Sequence, residues 1–249
     1  RWADLADKYK VREYVQSLGL GDTLVKLYGR WDKASDVDWD RLPNQFVLKV
    51  NNGCGDILIC RDKDKLDKAI VIDTYDKLVS IKYGDVTGEP HYARIQPCVI
   101  AEELLDINKQ SINTSSLIDY KVWCLNGKPY CIWCAWNRGK KGADTGVYDL
   151  DWNYHPEWSV FTEHYRQGKE ILPKPKCFER MLEVASKLSE EFPILRVDLY
   201  EVNGKIYFGE LTFTSLGGFM DYLTSEVLLD MGSKVRINEI SEEYAHIKC

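Results

Sequence analysis

The sequence predicts an α+β fold, in which antiparallel hairpins alternate with amphipathic helices. Two segments rich in β-branched and aromatic residues each surround an Asn-Gly pair, at 203–204 and at 126–127. This pair is the strongest short signal for a hairpin turn, because both turn positions need a positive φ. Apolar residues recur at helical spacing over 62–82 and again after Pro175 as far as Glu191. Hairpins together with amphipathic helices are typical of the α+β class.

The composition is that of a globular protein and excludes several functional classes. Of the 249 residues, 45% are hydrophobic and 29% are charged, which is ordinary for such a chain. The net charge of -6 argues against a nucleic-acid-binding surface, which requires an excess of basic residues. No apolar run approaches the roughly 20 residues that cross a bilayer as a helix.

Eight cysteines are scattered through apolar stretches of a chain too long to depend on disulfides, which favours a reducing cytoplasm. Cys131 and Cys134 form a C-x-x-C motif, but they lie in a predicted strand. Residues three apart on a strand point to opposite faces, and no second such pair follows in the chain. We therefore expect buried thiols here and not a zinc site.

The hairpin around Asn203-Gly204 carries two carboxylates among apolar residues. Counting inward from the turn places Asp198 opposite Gly209 and beside Glu210, with Arg196 close by. Two such carboxylates suit a hard divalent cation that carries nucleotide phosphates. A buried salt bridge within the hairpin is an equal alternative, since buried charges are usually paired.

A lysine within an apolar strand is the second candidate for chemistry. Lys49 lies in the predicted strand 45–50, and a glycine-rich loop follows at 51–56 before a second strand at 57–60. A lysine ammonium and several backbone N–H groups in such a loop can bind a polyphosphate. The alternative is a plain hairpin loop with its lysine extended towards solvent. The loop is not a Walker motif, because no G-x-x-x-x-G-K-[ST] occurs in the chain.

Three other stretches have weaker signals. Residues 4–18 are expected to form one amphipathic helix that Gly19 ends, and 20–41 a connecting segment. Residues 139–168 lack periodicity, and a long irregular stretch in a compact domain is usually functional or mobile, so we expect a loop on the side of the acceptor substrate. Within it, Asp149 and Asp151 form a D-x-D pattern of low specificity.

The motifs Arg196-Val-Asp-Leu-Tyr200 and Gly209-Glu-Leu-Thr212 resemble the metal-binding end of the ATP-grasp ligases, such as D-alanine–D-alanine ligase. The run 207–213 is most similar to the TupA-like ATP-grasp family of bacterial polysaccharide biosynthesis. The resemblance implies that Asp198, Glu210 and Thr212 hold Mg²⁺ on ATP. Thr212 stands where those ligases have Asn, which weakens the expectation of a second metal ion.

The same resemblance implies a phosphate-binding region near the start of the chain. Val-Leu-Lys49 followed by the glycine-rich loop is similar to the family's lysine and phosphate-covering loop, here with Gly53, Cys54 and Gly55. Cys54 takes the place of the usual Ser, and no proline follows the lysine, so backbone donors are expected to make the contacts. Asp7-Lys8 with Arg12 resembles the family's opening motif, in which basic residues such as Lys8 approach the phosphates.

The remaining implied roles lie along 98–138. By resemblance, Glu102, Glu103 and Leu105 form the adenine hinge, and Asp119 binds the ribose. Lys121 and Arg138 are expected near the transferring phosphate, and together with Arg196 they form the implied catalytic set. From the residues alone, Glu102-Glu103 is equally a solvated strand end, and the Asp119 hairpin equally carries ordinary surface charge.

Taken together, the ordered motifs imply an ATP-grasp fold with two α+β lobes that grip ATP between them. The expected divisions are an N-terminal helix and connection (1–42), a smaller lobe (43–100) and a larger lobe (101–249). The implied reaction uses ATP and Mg²⁺ to join a carboxylate, from a uronic acid or amino acid, to an amine through an acyl phosphate. The implied setting is capsule or cell-surface polysaccharide assembly in the cytoplasm, in association with membrane-bound machinery.

Three rival functions stay open at this point. A glycosyltransferase would use the D-x-D pattern at Asp149 to hold the metal of a sugar nucleotide. A kinase on the same scaffold would use ATP to phosphorylate a hydroxyl group. A non-catalytic nucleotide-binding protein is the third, and the joint presence of Lys49, Asp198 and Glu210 argues against it.

Overall fold

The computed structural model describes residues 1–53, 55, 57–81 and 83–237, and it confirms the predicted α+β class. The chain divides into two compact units, residues 1–105 and 106–249. Residues 101–105 thus lie in the first unit. Within the described residues, no helix is both long enough and apolar enough to cross a membrane.

The first unit is built on a four-stranded antiparallel sheet with the strand order β1-β4-β2-β3. Its strands are β1 (Leu27–Trp31), β2 (Phe46–Val50), β3 (Ile57–Cys60) and β4 (Val99–Glu102). Its helices are α1 (Trp2–Ala6), α2 (Val11–Ser17), α3 (Lys68–Ser80), α4 (Tyr83–Thr87) and α5 (Pro90–Ala93).

Strand β2 shows why this sheet has two unlike faces. Its burial alternates, as expected of a strand with one face on a core, and Phe46 and Leu48 are fully buried. These residues pack in one cluster with Val71 and Tyr75 of α3, and the Tyr75 hydroxyl donates to the Leu48 carbonyl at 2.8 Å. Lys49 lies on the opposite face because side chains alternate along a strand.

The second unit contains a six-stranded sheet with the order β10-β9-β5-β6-β7-β8. All neighbouring strands are antiparallel except β7 and β8, which are parallel. The strands are β5 (Asp119–Leu125), β6 (Lys128–Gly139), β7 (Gly142–Tyr148), β8 (Tyr165–Gln167), β9 (Ile194–Val202) and β10 (Lys205–Thr212). The helices are α6 (Phe178–Ser189) and α7 (Ser225–Lys234).

The two faces of the six-stranded sheet have different coverings. Helix α6 packs against β5, β6 and β9 and buries Met181, Val184 and Leu188. An aromatic cluster on the sheet includes Trp123 and Trp133, and Val227 and Met231 of α7 belong to it, among other residues. Lys121 pairs with Trp133 across β5 and β6, and Arg196 pairs with Trp123 across β9 and β5. Because directly paired residues lie on the same face of a sheet, Lys121 and Arg196 lie on the face that carries the aromatic cluster.

Three expectations about local structure are wrong. The expected helix over 4–18 is two helices, because Asp7 ends α1 and its carboxylate accepts the backbone N–H groups of Tyr9 and Lys10. The expected connection 20–41 contains β1, which pairs with β4. The expected irregular stretch 139–168 contains β7 and β8. Strand β7 is buried along almost its whole length, so its sequence has no alternation to reveal it.

Candidate functional site

The hairpin β9–β10 folds around the predicted turn. Asn203 and Gly204 both have positive φ values, 55° and 69°, as the two-residue turn requires. Tyr200 pairs with Tyr207 as predicted, but a β-bulge interrupts the ladder between Phe208 and Glu210. Because Gly209 is the extra residue, Glu210 pairs directly with Asp198, and the expectation that Asp198 lies opposite Gly209 is wrong.

The bulge depends on the absence of a side chain at position 209. A Cβ added to Gly209 would lie 2.9 Å from the carbonyl oxygen of Asp198 and 3.1 Å from Cε2 of Tyr200. The backbone of β10 therefore approaches β9 more closely than any other residue would permit. The result is that the two carboxylates of Asp198 and Glu210 occupy neighbouring positions on one face of the sheet.

Lys121 extends this row of charged side chains onto a third strand. It pairs with Asp198 across β5 and β9, and its ammonium donates a hydrogen bond to Oδ2 of Asp198. Both side chains are buried, Asp198 with 1% exposure and Lys121 with 6%. The row Glu210–Asp198–Lys121 thus crosses three adjacent strands.

Arg196 binds the other side of the same carboxylate. Its Nε lies 2.8 Å from Oδ1 of Asp198 and one terminal nitrogen lies 3.0 Å from Oδ2. That nitrogen also lies 3.0 Å from Oγ1 of Thr212 and 3.7 Å from a Glu210 oxygen. Burial disfavours the charge of Arg196, but these carboxylates and the nearby Tyr222 raise its pKa well above the ordinary value. The guanidinium is therefore a permanent cation fixed in the carboxylate pair.

Asp119 and Arg138 form the outer part of the cluster. Arg138 lies 2.8 Å from one Asp119 oxygen, and the Lys121 ammonium lies 3.7 Å from the other. Asp119 is also the principal reason that the pKa of the Tyr200 hydroxyl is raised well above its ordinary value, with burial and then Glu210 contributing further. Asp119, the expected ribose ligand, is thus held by two of the expected phosphate-binding cations.

Sequence reasoning missed the second support of Arg196. The hydroxyl of Ser215 accepts from Arg196 at 2.8 Å and is itself 2.8 Å from the Tyr222 hydroxyl, and both Ser215 and Tyr222 are buried. The 3-10 turn Ser215–Gly218 that positions the serine contains Leu216 at a φ of 51°, which is uncommon for a residue with a side chain. The glycines at 217 and 218 predict a flexible polar turn here, but nothing local predicts that Ser215 binds Arg196 or that Tyr222 contacts Ser215.

The first unit gathers the expected phosphate-binding residues around a buried glutamate. Glu102 is 6% exposed and accepts from Lys49 at 2.6 Å and from Arg12 at 3.2 Å. Because Glu102 lies between two cations, it is a buried ion-paired residue and not a solvated strand end. Neither Lys49 nor Arg12 extends freely into solvent.

The other predicted residues of the first unit are placed as follows. The ammonium of Lys8 donates to the Gly53 carbonyl at 2.7 Å, so the start of the chain contacts the glycine-rich loop. Glu103 is exposed and its backbone N–H donates to the Lys26 carbonyl at 2.9 Å. Leu105 is buried, and Gly55 is exposed with a positive φ of 90°. Cys54 lies outside the described residues.

The D-x-D pattern supports its own loop. The Asp149 carboxylate accepts the backbone N–H groups of Asp151 and Asn153 at 2.9 and 2.7 Å, and the Asn153 side chain at 2.8 Å. His155 lies 3.1 Å from the same carboxylate and 2.7 Å from Glu157. Burial disfavours charge on Asp149, yet these hydrogen bonds lower its pKa to about 2. Its acceptor capacity is thus taken up within the loop.

The donor set of the hairpin is suitable for Mg²⁺ bound together with phosphate. Within the described residues, no group of three or more His, Cys, Asp or Glu side chains is arranged to hold a metal ion alone. Asp198 and Glu210 are two adjacent carboxylates, and Mg²⁺ is usually bound by one or two carboxylates with phosphates and water completing its octahedron. The residues present therefore fit the ion, provided that the phosphates supply the other ligands.

A match to a known family extends over nearly the whole chain. The profile of the family described as TupA-like ATP-grasp matches residues 2–236. The chain belongs to the TupA-like ATP-grasp family. Proteins of the ATP-grasp type are ATP-dependent ligases, and the expectation of an ATP-dependent enzyme of this type is confirmed. A comparison of the TupA-like chain with curated protein sequences gave no match.

Solved structures show the same fold as this TupA-like protein. D-alanine–D-alanine ligase from Bacillus anthracis is 16% identical with a TM-score of 0.55, over 96% of this chain and 69% of the ligase. The same ligase complexed with ATP gives a TM-score of 0.55 and 16% identity, over 96% and 68% of the two chains. At this identity the likeness establishes the ATP-grasp fold alone.

A third solved structure is more distant. It is the ATP-grasp ligase PsnB complexed with a phosphomimetic variant of its minimal precursor, Mg and ADP. It is 11% identical over 94% of the TupA-like chain and 60% of that ligase. Its TM-score of 0.48 is too low to support an inference about this chain.

Proposed function

We propose that this TupA-like protein is an ATP- and Mg²⁺-dependent carboxylate–amine ligase that acts through an acyl phosphate. The observation that carries the proposal is the row Glu210–Asp198–Lys121, in which Asp198 and Lys121 are buried and Arg196 is bound to the central Asp198. Two adjacent carboxylates for a metal ion, surrounded by fixed cations, are what phosphoryl transfer to an anionic acceptor requires.

Each group of residues has a role in this proposal. Bound Mg²⁺ would be held by Asp198 and Glu210, with Thr212 as an outer partner, and would offset charge on the ATP phosphates. Lys121 and Arg138 would offset the charge of the transferring phosphoryl group on its acceptor side. These two cations already lie beside Asp119 in one cluster, so they need no large rearrangement to act together.

Arg196 and Ser215 are suited to a carboxylate substrate. The guanidinium is held from one side by Asp198 and from the other by the Ser215 hydroxyl. A cation fixed in this way orients a carboxylate at little entropic cost, because its own side chain is already ordered. We propose a uronic acid or an amino acid as the carboxylate substrate and an amine as the acceptor.

In the first unit, Lys49 and the glycine-rich loop are the proposed contacts of the ATP phosphates, with Lys8 supporting the loop through Gly53. Glu102 would keep the Lys49 ammonium in position through their ion pair. Glu102 is the last residue of β4, and Glu103 and Leu105 lie just after it. We propose that this segment contacts the adenine. Asp119 of the second unit is the proposed contact of the ribose.

The setting proposed for the reaction is the assembly of a cell-surface polysaccharide or capsule in the cytoplasm. Family membership is the support for this setting. An acyl phosphate hydrolyses readily in water, so the reaction is best carried out where the acceptor amine is already at hand. We propose that membrane-bound polysaccharide machinery presents this acceptor.

The loop at Asp149 weighs against a glycosyltransferase. A sugar-nucleotide metal needs free carboxylate oxygens, whereas those of Asp149 accept hydrogen bonds from their own loop. The kinase alternative differs in its products, because a kinase transfers the phosphate to a hydroxyl group and releases none to solution.

The test is a trapping assay with hydroxylamine as a generic amine. The protein is incubated with ATP, Mg²⁺ and a panel of uronic and amino acids, and hydroxamate, ADP and free phosphate are measured. A ligase gives all three in equal amounts with its true carboxylate. An ¹⁸O-labelled carboxylate should then transfer label to the phosphate, and Asp198→Asn should abolish the signal.

The alternatives give other products in the same assay. ADP without free phosphate would identify a kinase, and AMP with pyrophosphate would identify adenylation. Unlabelled phosphate alongside hydroxamate would exclude the acyl-phosphate route. Failure to bind ATP in the presence of Mg²⁺ would refute the proposal as a whole.

A further inference from the structure

The carboxylates of the charged cluster in the second unit are already paired with cations of the protein itself. Within the described residues, the ion pairs of this cluster join three carboxylates to three cations. The carboxylates are Asp119, Asp198 and Glu210, and the cations are Lys121, Arg138 and Arg196. A divalent ion entering this cluster alone would have to compete with these cations for the same carboxylates.

The contacts of Asp198 show which cation stands in the way of a metal ion. Its Oδ1 accepts from Nε of Arg196 at 2.8 Å, and its Oδ2 accepts from Arg196 at 3.0 Å and from the Lys121 ammonium. The Arg196 guanidinium is held at three further points, by Thr212, Ser215 and the Glu210 carboxylate. Lys121 is the less restrained cation, since a lysine ammonium is a compact point charge on a flexible stem.

We propose that Lys121 is the internal counter-ion of Asp198 in the metal-free protein, and that Mg²⁺ binds only together with a polyphosphate. The polyphosphate supplies further oxygen ligands and negative charge for a divalent ion. It also gives the Lys121 ammonium a new anionic partner, so that Oδ2 of Asp198 becomes available to the metal. This inference rests on the proposed function, because it takes Asp198 and Glu210 as the metal-binding carboxylates.

A binding measurement on the nucleotide-free protein tests the exchange directly. Mn²⁺ serves as the probe, and its free concentration is followed by electron paramagnetic resonance. The proteins compared are the wild type, Lys121→Met, Lys121→Gln and the control Lys128→Met, which removes one charge from an exposed lysine at the start of β6. Each is measured alone and with a non-hydrolysable ATP analogue, and circular dichroism confirms the fold.

The expected results differ among the proteins. The wild type and Lys128→Met should bind Mn²⁺ only in the presence of the analogue. Both Lys121 variants should bind Mn²⁺ without nucleotide, at least about ten-fold more tightly than the wild type, because a unit charge in contact with the carboxylate is gone. The melting temperature of these variants should also rise with Mn²⁺ alone.

Several results would overturn the proposal. Equal binding of Mn²⁺ by the wild type with and without the analogue would do so, and so would folded Lys121 variants that gain no affinity for Mn²⁺. Loss of the fold in both variants would also count against it, because Arg196 still pairs with Asp198 in them and should be sufficient to keep this carboxylate paired. Failure of the wild type to bind the ATP analogue would instead refute the proposed function, while the nucleotide-free comparison of the variants still decides the role of Lys121.

Discussion

Replacing Gly209 by alanine should separate the two proposed metal ligands. The added Cβ would lie 2.9 Å from the Asp198 carbonyl oxygen, whereas ordinary contact begins at 3.4 Å, so β10 must move away from β9 by about 0.5 Å. Both neighbours belong to β9, and one contact is a backbone atom that cannot rotate aside. The strain therefore falls on the pairing of Asp198 with Glu210.

The size of the effect follows from two opposing contributions. Overpacking of this kind costs about 1–3 kcal/mol. Alanine also restricts the unfolded chain, which returns about 0.4–1 kcal/mol. We expect Gly209→Ala to lower the free energy of unfolding by about 1–2 kcal/mol. A displacement of this size should also weaken metal-dependent binding of an ATP analogue by about ten-fold or more.

The assay is urea denaturation together with titration of the analogue in the presence of Mn²⁺. Gly139→Ala is the matched control, because Gly139 ends β6, lacks a positive φ and has nothing within 4 Å of an added Cβ. It should change the free energy of unfolding by less than about 0.5 kcal/mol. Equal stability and equal affinity in the two alanine variants would refute the argument that the bulge sets the geometry of the site.

Three further predictions follow from contacts elsewhere in the chain. Lys49→Ala should weaken ATP binding by about 1.5–3 kcal/mol in calorimetry, and an unchanged affinity in the folded variant would remove the lysine from the phosphate site. Burial lowers the pKa of His155, but its hydrogen bonds to the carboxylates of Glu157 and Asp149 outweigh this effect and raise the pKa above 6.5. The resulting stability is complete below pH 6.5 and is lost as the pH rises through the raised value, so urea denaturation should show a decline with pH that His155→Gln lacks. Tyr222→Phe removes one hydrogen bond to Ser215 and should lower the free energy of unfolding by about 0.5–1.5 kcal/mol; a variant as stable as the wild type would show that the hydroxyl does not support the serine.

The parts of the fold that the sequence predicted are those specified locally. Both Asn-Gly turns have the positive φ values that the two residue types favour, and each joins two antiparallel strands as expected, although the register beyond Phe208 differs from the expected one. Helix α6 was visible because one of its faces is apolar and the other charged. In these segments the information lies within a few neighbouring residues.

The parts that were missed depend on distant residues. Strand β1 is only partly buried and owes its existence to pairing with β4, some 70 residues later. The bulge at Gly209 reflects close contact with β9, which no count from the turn can foresee. Tyr222 reaches the site because its hydroxyl meets Ser215, and a lone tyrosine after a glycine-rich turn has no distinguishing pattern.

The candidate site also showed this division between local and distant information. The carboxylates, the lysines and the arginines were each identifiable from motifs that resemble the family. Their partners were not, since the pairing of Glu102 with Lys49 and of Asp119 with Arg138 is settled by strand order. Motifs supply the residue types, and the sheet decides which charges neutralise one another.

The pairing of β5 with β9 determines when the folding chain can become active. Lys121 and Asp198 are 77 residues apart, although each lies in a hairpin closed by a two-residue turn. Hairpins form in about 1–10 μs, whereas joining two of them across a long connection is much slower. A nascent or stalled chain can thus hold both hairpins and still lack the ammonium–carboxylate contact. We expect such a chain to be inert towards ATP until the six-stranded sheet is complete.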